Sequence, residues 1–371
     1  MQQPPTDKLQ PIEMLSLPEN PLVSVLIGNY NYARYIGETL ESVLCQTYPY
    51  FEAIVCDDGS TDNSCEVIES YAQKDSRIKL IRKQNGGIST ALNTAYKESK
   101  GEIVCILDAD DLWLPDKLQK VVEKFKSDSK CGFVIHNVIQ IDAQGEYIKK
   151  TPMMRQLASG WIAPIVLENG SFIENIPPAS ALSIRKEVAS LIFPVNEAIK
   201  RHVDGLIISL ALLVTEIRAV PEVLSKFRLH GANITSLGFL TVERMERWLV
   251  TLKHIHQEQK QLLEKVYGTE IAERLRDLQF SLGVCHDHYL LARLQGAPKI
   301  ERREIHQRLI HHPYFNVLSV PQQWLFQWGE YFPNAIFKMF FHQVYGPSHL
   351  KRLVRWLIEL RHTVSPVREL S

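Results

Sequence analysis

Three carboxylates, Asp108, Asp110 and Asp111, follow directly on the apolar run Ile103-Val104-Cys105-Ile106-Leu107. Aspartate is a poor strand former and costly to bury uncompensated, so these groups need a partner where the run ends. Clustered carboxylate oxygens suit a hard divalent cation, Mg2+ or Mn2+, and such cations commonly carry substrate phosphates. The plainer reading is a solvated Asp-rich turn that caps the helix starting near Pro115. A second acidic group, Asp57-Asp58, precedes Gly59-Ser60 at the end of another apolar run. It is either a turn with an Asx bond or a strand-end carboxylate that accepts from a nucleobase or a ribose. Asn85-Gly86-Gly87 is either a tight turn or a place where backbone approaches a diphosphate.

The elements that carry these groups alternate. Apolar runs at 22–27, 51–56, 77–82 and 103–107 read as strands. Helical spacing of Ile36, Leu40, Val43 and Leu44, then of Val67, Ile68 and Tyr71, and an Ala- and Leu-rich stretch over 88–98, place a helix after each of the first three. Leu118, Val121, Val122 and Phe125 mark a fourth helix, and 132–141 a further strand. Strand and helix in alternation, with short connections, predict a mostly parallel sheet covered on both faces. Its strand ends share one rim, so Gly28, Asp57-Asp58 and Asp108-Asp110 are expected to converge. From 142 to 201 the pattern loosens under repeated Gly and Pro, which predicts functional loops with one short strand at 181–184. An apolar helix at 206–214 and a closing strand pair at 218–229 follow, and beyond 237 the composition turns helical.

At 371 residues, one large domain plus a smaller one is expected. The division reads as a loose tail at 1–21, a catalytic domain at 22–236 and a C-terminal α-helical region at 237–371. The tail is polar and Pro-rich, without the basic start and apolar core of a signal peptide. The formal net charge is zero, which gives no reason to expect nucleic acid as a partner. Six scattered cysteines without metal-ligand spacing suit a reducing compartment. No apolar run approaches the roughly 20 residues of a membrane-spanning helix. Near the C-terminus, Leu350, Leu353, Val354 and Leu357 share a helical face beside Lys351, Arg352, Arg355 and Arg361. Such a face usually packs on its own domain, but it is also the pattern of a helix lying on an anionic membrane.

Over 22–236 the chain resembles the family 2 inverting glycosyltransferases, which have the GT-A nucleotide-diphospho-sugar fold. The residues that carry the resemblance stand in order: Val23-Ser24-Val25-Leu26-Ile27 before Tyr30-Asn31, Ser42 to Tyr48, Val55 to Asp62, Asn85-Gly86-Gly87, Leu107 to Asp111, Pro115 to Leu118, and Arg228-x-His230. Two positions depart from the family pattern. Gly28 stands where Pro or Thr is usual, and Val203-Asp204 stands where Glu-Asp is usual.

The resemblance implies a GT-A type, Rossmann-like α/β fold and a metal-dependent inverting hexosyltransferase. Its donor would be a nucleotide-diphospho-sugar, a UDP-sugar first of all. Its acceptor would be the hydroxyl of a saccharide or lipid-linked saccharide, in polysaccharide, glycan or glycolipid biosynthesis. Tyr30, Asp58, Asn85, Asp108, Arg228 and His230 would contact the donor, with Asp58 on the base and Arg228 and His230 near the diphosphate. Asp110, with Asp108, would hold Mg2+ or Mn2+. Asp204 would be the general base, its plainer alternative being a helix N-cap. The expected location is cytoplasmic, with peripheral membrane contact through the C-terminal helix. Two other classes compete. A nucleotidyltransferase would carry an Arg/Lys-bearing Gly-rich loop after its first strand, which Gly28-Asn29-Tyr30-Asn31 lacks. A non-catalytic sugar-nucleotide-binding protein would not need Asp110 and Asp204 together.

Overall fold

The computed structural model describes residues 9–170, 177–230 and 241–345. The amphipathic stretch at 349–362 lies outside the described residues. The chain forms two compact units, Met1–Ser236 with His254–Arg276, and Leu237–Lys253 with Asp277–Ser371.

In the first unit an eight-stranded sheet has the order β3-β2-β1-β4-β7-β6-β8-β5. The strands are β1 (Val23–Asn29), β2 (Phe51–Asp57), β3 (Ile78–Arg82), β4 (Ile103–Asp108), β5 (Leu112–Trp113), β6 (Cys131–Ile141), β7 (Leu182–Arg185) and β8 (Glu216–Arg228). β1, β2, β3 and β4 pair in parallel, and so do β6 and β8. β7 is antiparallel to both β4 and β6, and β5 is antiparallel to β8. Six strands therefore run one way, as a mostly parallel sheet requires, while β5 and β7 run against them.

The period-2 alternation of side chains sorts the sheet into two faces. Leu26, Ile54, Val104 and Ile106 point to a core shared with helices α3 (Ile88–Lys97), α5 (Ala163–Asn169), α6 (Lys186–Ile192) and α7 (Val203–Val214). Val23, Val25, Ile27, Ile103 and Leu107 point the other way, onto α1 (Ala33–Leu44), α2 (Ser64–Ala72) and α4 (Lys117–Ser127).

Several expectations change in detail. The stretch 218–229 is not a strand pair. Its residues 218–228 belong to the one 13-residue strand β8, whose register against β6 jumps from Val220 to Val223. Pro221 sits in that jump, where a missing N–H costs no ladder bond. The loosely patterned region holds the expected short strand as β7, together with α5 and α6, helices too short for periodicity to reveal. Part of the expected tail is ordered: Leu9 is buried, and the N–H of Ile12 donates to the carbonyl of Val214. The first unit also takes in His254–Arg276, because Ile255, Leu262, Leu263, Ile271 and Leu275 join its core.

α8 (Val242–Tyr267) is therefore divided between the units, and α9 (Thr269–Glu273) belongs to the first. The second unit contains α10 (Leu282–Leu294), α11 (Lys299–Ile310), α12 (Val320–Gly329) and α13 (Asn334–Tyr345). Its core centres on Tyr289, Leu325, Phe326 and Phe337. The buried Arg293 guanidinium donates to the carbonyls of Gly329 and Phe332 and lies over the Phe337 ring. A cation there satisfies carbonyls at the end of α12.

Candidate functional site

The sheet brings the strand-end residues together by register. Gly28 lies between Cys56 and Asp108, and Asn29 lies beside Asp57. The space a side chain at position 28 would enter is taken by the Ile88 side chain of α3, 2.4 Å from where its Cβ would stand. Glycine at this departure from the family pattern thus goes with a close helix.

On the β2 side the two aspartates build turns. Asp57 accepts from Asn29 Nδ2 at 2.7 Å and from the Ser60 N–H and hydroxyl at 2.9 and 2.6 Å. Burial alone would raise its pKa, but these bonds hold it below the ordinary carboxylate value. Asp58 accepts from Lys83 Nζ at 2.6 Å, from the Gly86 N–H at 2.9 Å and from the Gly87 N–H at 2.7 Å. Its carboxylate is buried, and it faces the 85–87 turn rather than open space. Gly59 completes the junction: at φ +78° it occupies the left-handed region, and a Cβ there would stand 2.9 Å from the Asn85 nitrogen. Tyr30 and Asn85 stay exposed on this part of the rim.

On the β4 side the three carboxylates differ. Asp111 is fully buried and accepts from the Ser180 hydroxyl at 2.5 Å and from the Arg228 N–H at 2.8 Å. It is a structural tie. Asp110 meets His230, Nε2 to Oδ2, at 2.8 Å. The Asp108 N–H lies 3.1 Å from the Ser180 hydroxyl oxygen. Burial and the neighbouring Asp110 and Asp204 charges push the Asp108 carboxyl up to about 8. Asp110 is raised chiefly by burial, against the pull of His230. Asp111 is raised well above the usual range by burial and by its two acidic neighbours.

Arg228 does not face the space in front of the carboxylates. It is 1% exposed, with Nε donating to the Asp110 carbonyl at 2.8 Å and a terminal nitrogen on Glu38 at 2.6 Å. Arg228, expected near the diphosphate, thus has its guanidinium bonded inside the protein. Asp58, expected on a nucleobase, holds the 85–87 turn.

Asp204 lies in the first turn of α7, where the helix dipole favours a carboxylate. The N-cap position is His202, at φ +59°, and the Asp204 side chain accepts only from the adjacent Gly205 N–H among the bonds described.

Four residues of this region carried no signal in the sequence. Tyr32 has its hydroxyl pKa raised by burial and then by Asp110, Asp108 and Asp111. Tyr35 and Glu38 reach Arg228, and Ser180 bridges Asp108 and Asp111. The adjacent Tyr30-Asn31 could have drawn attention to Tyr32, but Ser180 sits in an aperiodic Pro-Pro stretch.

Among the described residues no group of three or more His, Cys, Asp or Glu side chains stands arranged around a metal position. The donor set nevertheless fits a hard cation that takes the rest of its ligands from phosphate and water. Such an ion needs only one or two carboxylates from the protein, the number that Asp108 and Asp110 would offer.

The profile of Glycosyl transferase family 2 matches residues 24–185. An uncharacterized glycosyltransferase of Nostoc sp. is 35% identical over 262 residues, which are 70% of this chain and 80% of that one. Chondroitin synthase of Escherichia coli is 35% identical over 141 residues, 38% of this chain. The chain spans only 21% of that synthase. Crystalline TarS of S. aureus, residues 1–349 with UDP-GlcNAc, superposes with a TM-score of 0.50 at 17% identity. The match covers 82% of this chain and 90% of that one, and it establishes a shared fold of GT-A type. With strand-end carboxylates on a sheet of this order and a relative matched over most of both lengths, the chain belongs to glycosyl transferase family 2.

Proposed function

We propose that the protein transfers a sugar from a nucleotide-diphosphate donor to a hydroxyl acceptor with inversion at the anomeric carbon. The observation that carries this reading is the strand-end pair Asp108 and Asp110, with Asp110 held on His230 at 2.8 Å, while Asp204 stands on a separate element in the first turn of α7. It supplies one carboxylate station for the donor and a second, on another element, for the acceptor. The donor is a UDP-sugar on this reading, lying along the rim from Tyr30 and the Asn85 turn to Asp110. Asp58 acts on it through the turn it holds, and His230 through Asp110. Mg2+ or Mn2+ on Asp108 and Asp110, when bound, neutralises the negative charge that gathers on the departing diphosphate.

The chain's own residues handle the proton. An Asp204 carboxylate oxygen takes the proton of the acceptor hydroxyl as that oxygen attacks the anomeric carbon. The glycosyl–phosphate C–O bond breaks on the opposite side, and its electron pair leaves with the nucleotide diphosphate. With one attack and no enzyme nucleophile, the configuration inverts.

The acceptor is a saccharide or lipid-linked saccharide. Support for a saccharide comes from relatives named for chondroitin synthesis and, putatively, teichuronic acid synthesis. A cytoplasmic site at the inner face of a membrane would suit a lipid-linked acceptor. No described helix is long and apolar enough to cross a membrane. The test is a panel of nucleotide sugars offered with saccharide acceptors, with product configuration read by NMR. A product of retained configuration would overturn the single-displacement reading.

A further inference from the structure

We propose that Tyr35 is a positioning residue whose buried ring seats both groups that approach Asp110. One is the His230 imidazole, whose ring centroid lies 4.9 Å from that of Tyr35, tilted by 32°. The other is the Arg228 guanidinium, 4.9 Å from the same centroid. His230 meets the Asp110 carboxylate at 2.8 Å, and Arg228 donates to the Asp110 carbonyl at 2.8 Å. Side chain and backbone of one aspartate are thus approached by two groups that share one aromatic platform. Tyr32 closes the seat with an edge contact to His230 at 5.8 Å.

Core filling does not account for this ring. Tyr35 is 7% exposed, yet it belongs to none of the apolar clusters, whereas its neighbours Ile36 and Leu40 do. Its surroundings are cations and rings: Arg228 and His230 at 4.9 Å from its centroid, Arg34 at 5.2 Å and Tyr32 at 6.2 Å. A ring stacked against an imidazole restricts the plane it can adopt. The electron-rich face also suits a guanidinium cut off from water. Tyr35 therefore fixes Asp110 from the side opposite to sequence logic: α1, not β4, sets where the carboxylate points.

The consequence for metal affinity rests on Asp110 being a donor-side carboxylate, but the geometry itself does not. The test uses the full chain with histidine ring carbons labelled, at fixed pH and without metal. The His230 signal is identified by its loss in His230→Gln. A nuclear Overhauser contact between the Tyr35 and His230 rings is expected in the unsubstituted protein, with a ring-current shift on His230. Tyr35→Phe should keep both; Tyr35→Leu should abolish the shift. Mn2+ binding, read by electron paramagnetic resonance, should weaken roughly three- to tenfold in Tyr35→Leu and stay unchanged in Tyr35→Phe, the size of one buried aromatic contact. Absence of the ring–ring contact in the unsubstituted protein overturns the proposal without any variant. So does an unmoved His230 signal in a folded Tyr35→Leu. If the unsubstituted protein binds no Mn2+, the donor-site reading fails, and the histidine signal alone judges the role of Tyr35.

Discussion

The backbone N–H of Arg228 donates to the buried carboxylate of Asp111 at 2.8 Å, joining residues 117 positions apart. That bond and the one from Arg228 Nε to the Asp110 carbonyl tie the end of β8 to the end of β4. Truncating Arg228 leaves the carbonyl of Asp110 without its donor inside the protein. Arg228→Met should cost about 3 kcal/mol of folding stability, the order seen when one partner of a buried polar network is removed. The Glu38 contact contributes little to that figure, since Glu38 is mostly open to water. Lysine should not rescue, because it lacks the planar fork that reaches two acceptors. Urea unfolding checks this. Unchanged stability together with weakened nucleotide binding would show that Arg228 serves the donor directly.

Asp110→Asn removes the charge that would draw a divalent cation while keeping the shape of the side chain. In the unsubstituted protein, Mn2+ should strengthen binding of a nucleoside diphosphate. In the variant, titrations with and without Mn2+ should superimpose, and the melting temperature should change by only a few degrees. A metal effect of the same size in both proteins would remove Asp110 from the metal site.

Asp204→Asn deletes only the proton acceptor. Donor affinity should survive, while turnover with a working acceptor should fall by about 100-fold or more, the usual contribution of a positioned base. Near-normal turnover would reduce Asp204 to a residue of the helix start.

The alternating strands and helices were legible because each buried strand is a short apolar run and each helix has a clear period. The convergence of Gly28, Asp57 and Asp108 on one rim followed from parallel pairing alone. What stayed hidden was the direction of side chains after the strands end. Asp58, Asp110 and Asp111 are alike as letters, yet one holds a turn, one meets a histidine and one is a buried tie. The difference is made by Gly86, Gly87, Ser180 and His230, which tertiary packing brings in from other parts of the chain. Arg228 is hidden for the same reason: its letter does not show that its guanidinium is buried and bonded within the protein. β7 escaped full description because four residues cannot announce that they run antiparallel between two parallel neighbours.

The last prediction concerns acid stability and a residue away from the rim. His136 is fully buried in β6, and burial, with the Lys117 ammonium nearby, lowers its pKa to about 3. In the unfolded chain a histidine titrates near 6.5. At neutral pH the ring is uncharged in both states and nothing is lost. As pH falls below that of the unfolded histidine, the unfolded chain takes up a proton that the folded protein refuses. Stability therefore drops, until the folded ring also titrates near 3. The slope from this one group is about 1.4 kcal/mol per pH unit. His136→Gln, which keeps a polar group for the Asn137 carbonyl, removes the titration. Between pH 7.5 and pH 5.5 the unsubstituted protein should lose about 1 kcal/mol more than the variant in urea unfolding. Equal losses in the two proteins would mean that His136 takes a proton in the folded state, and that the site beneath β6 admits charge.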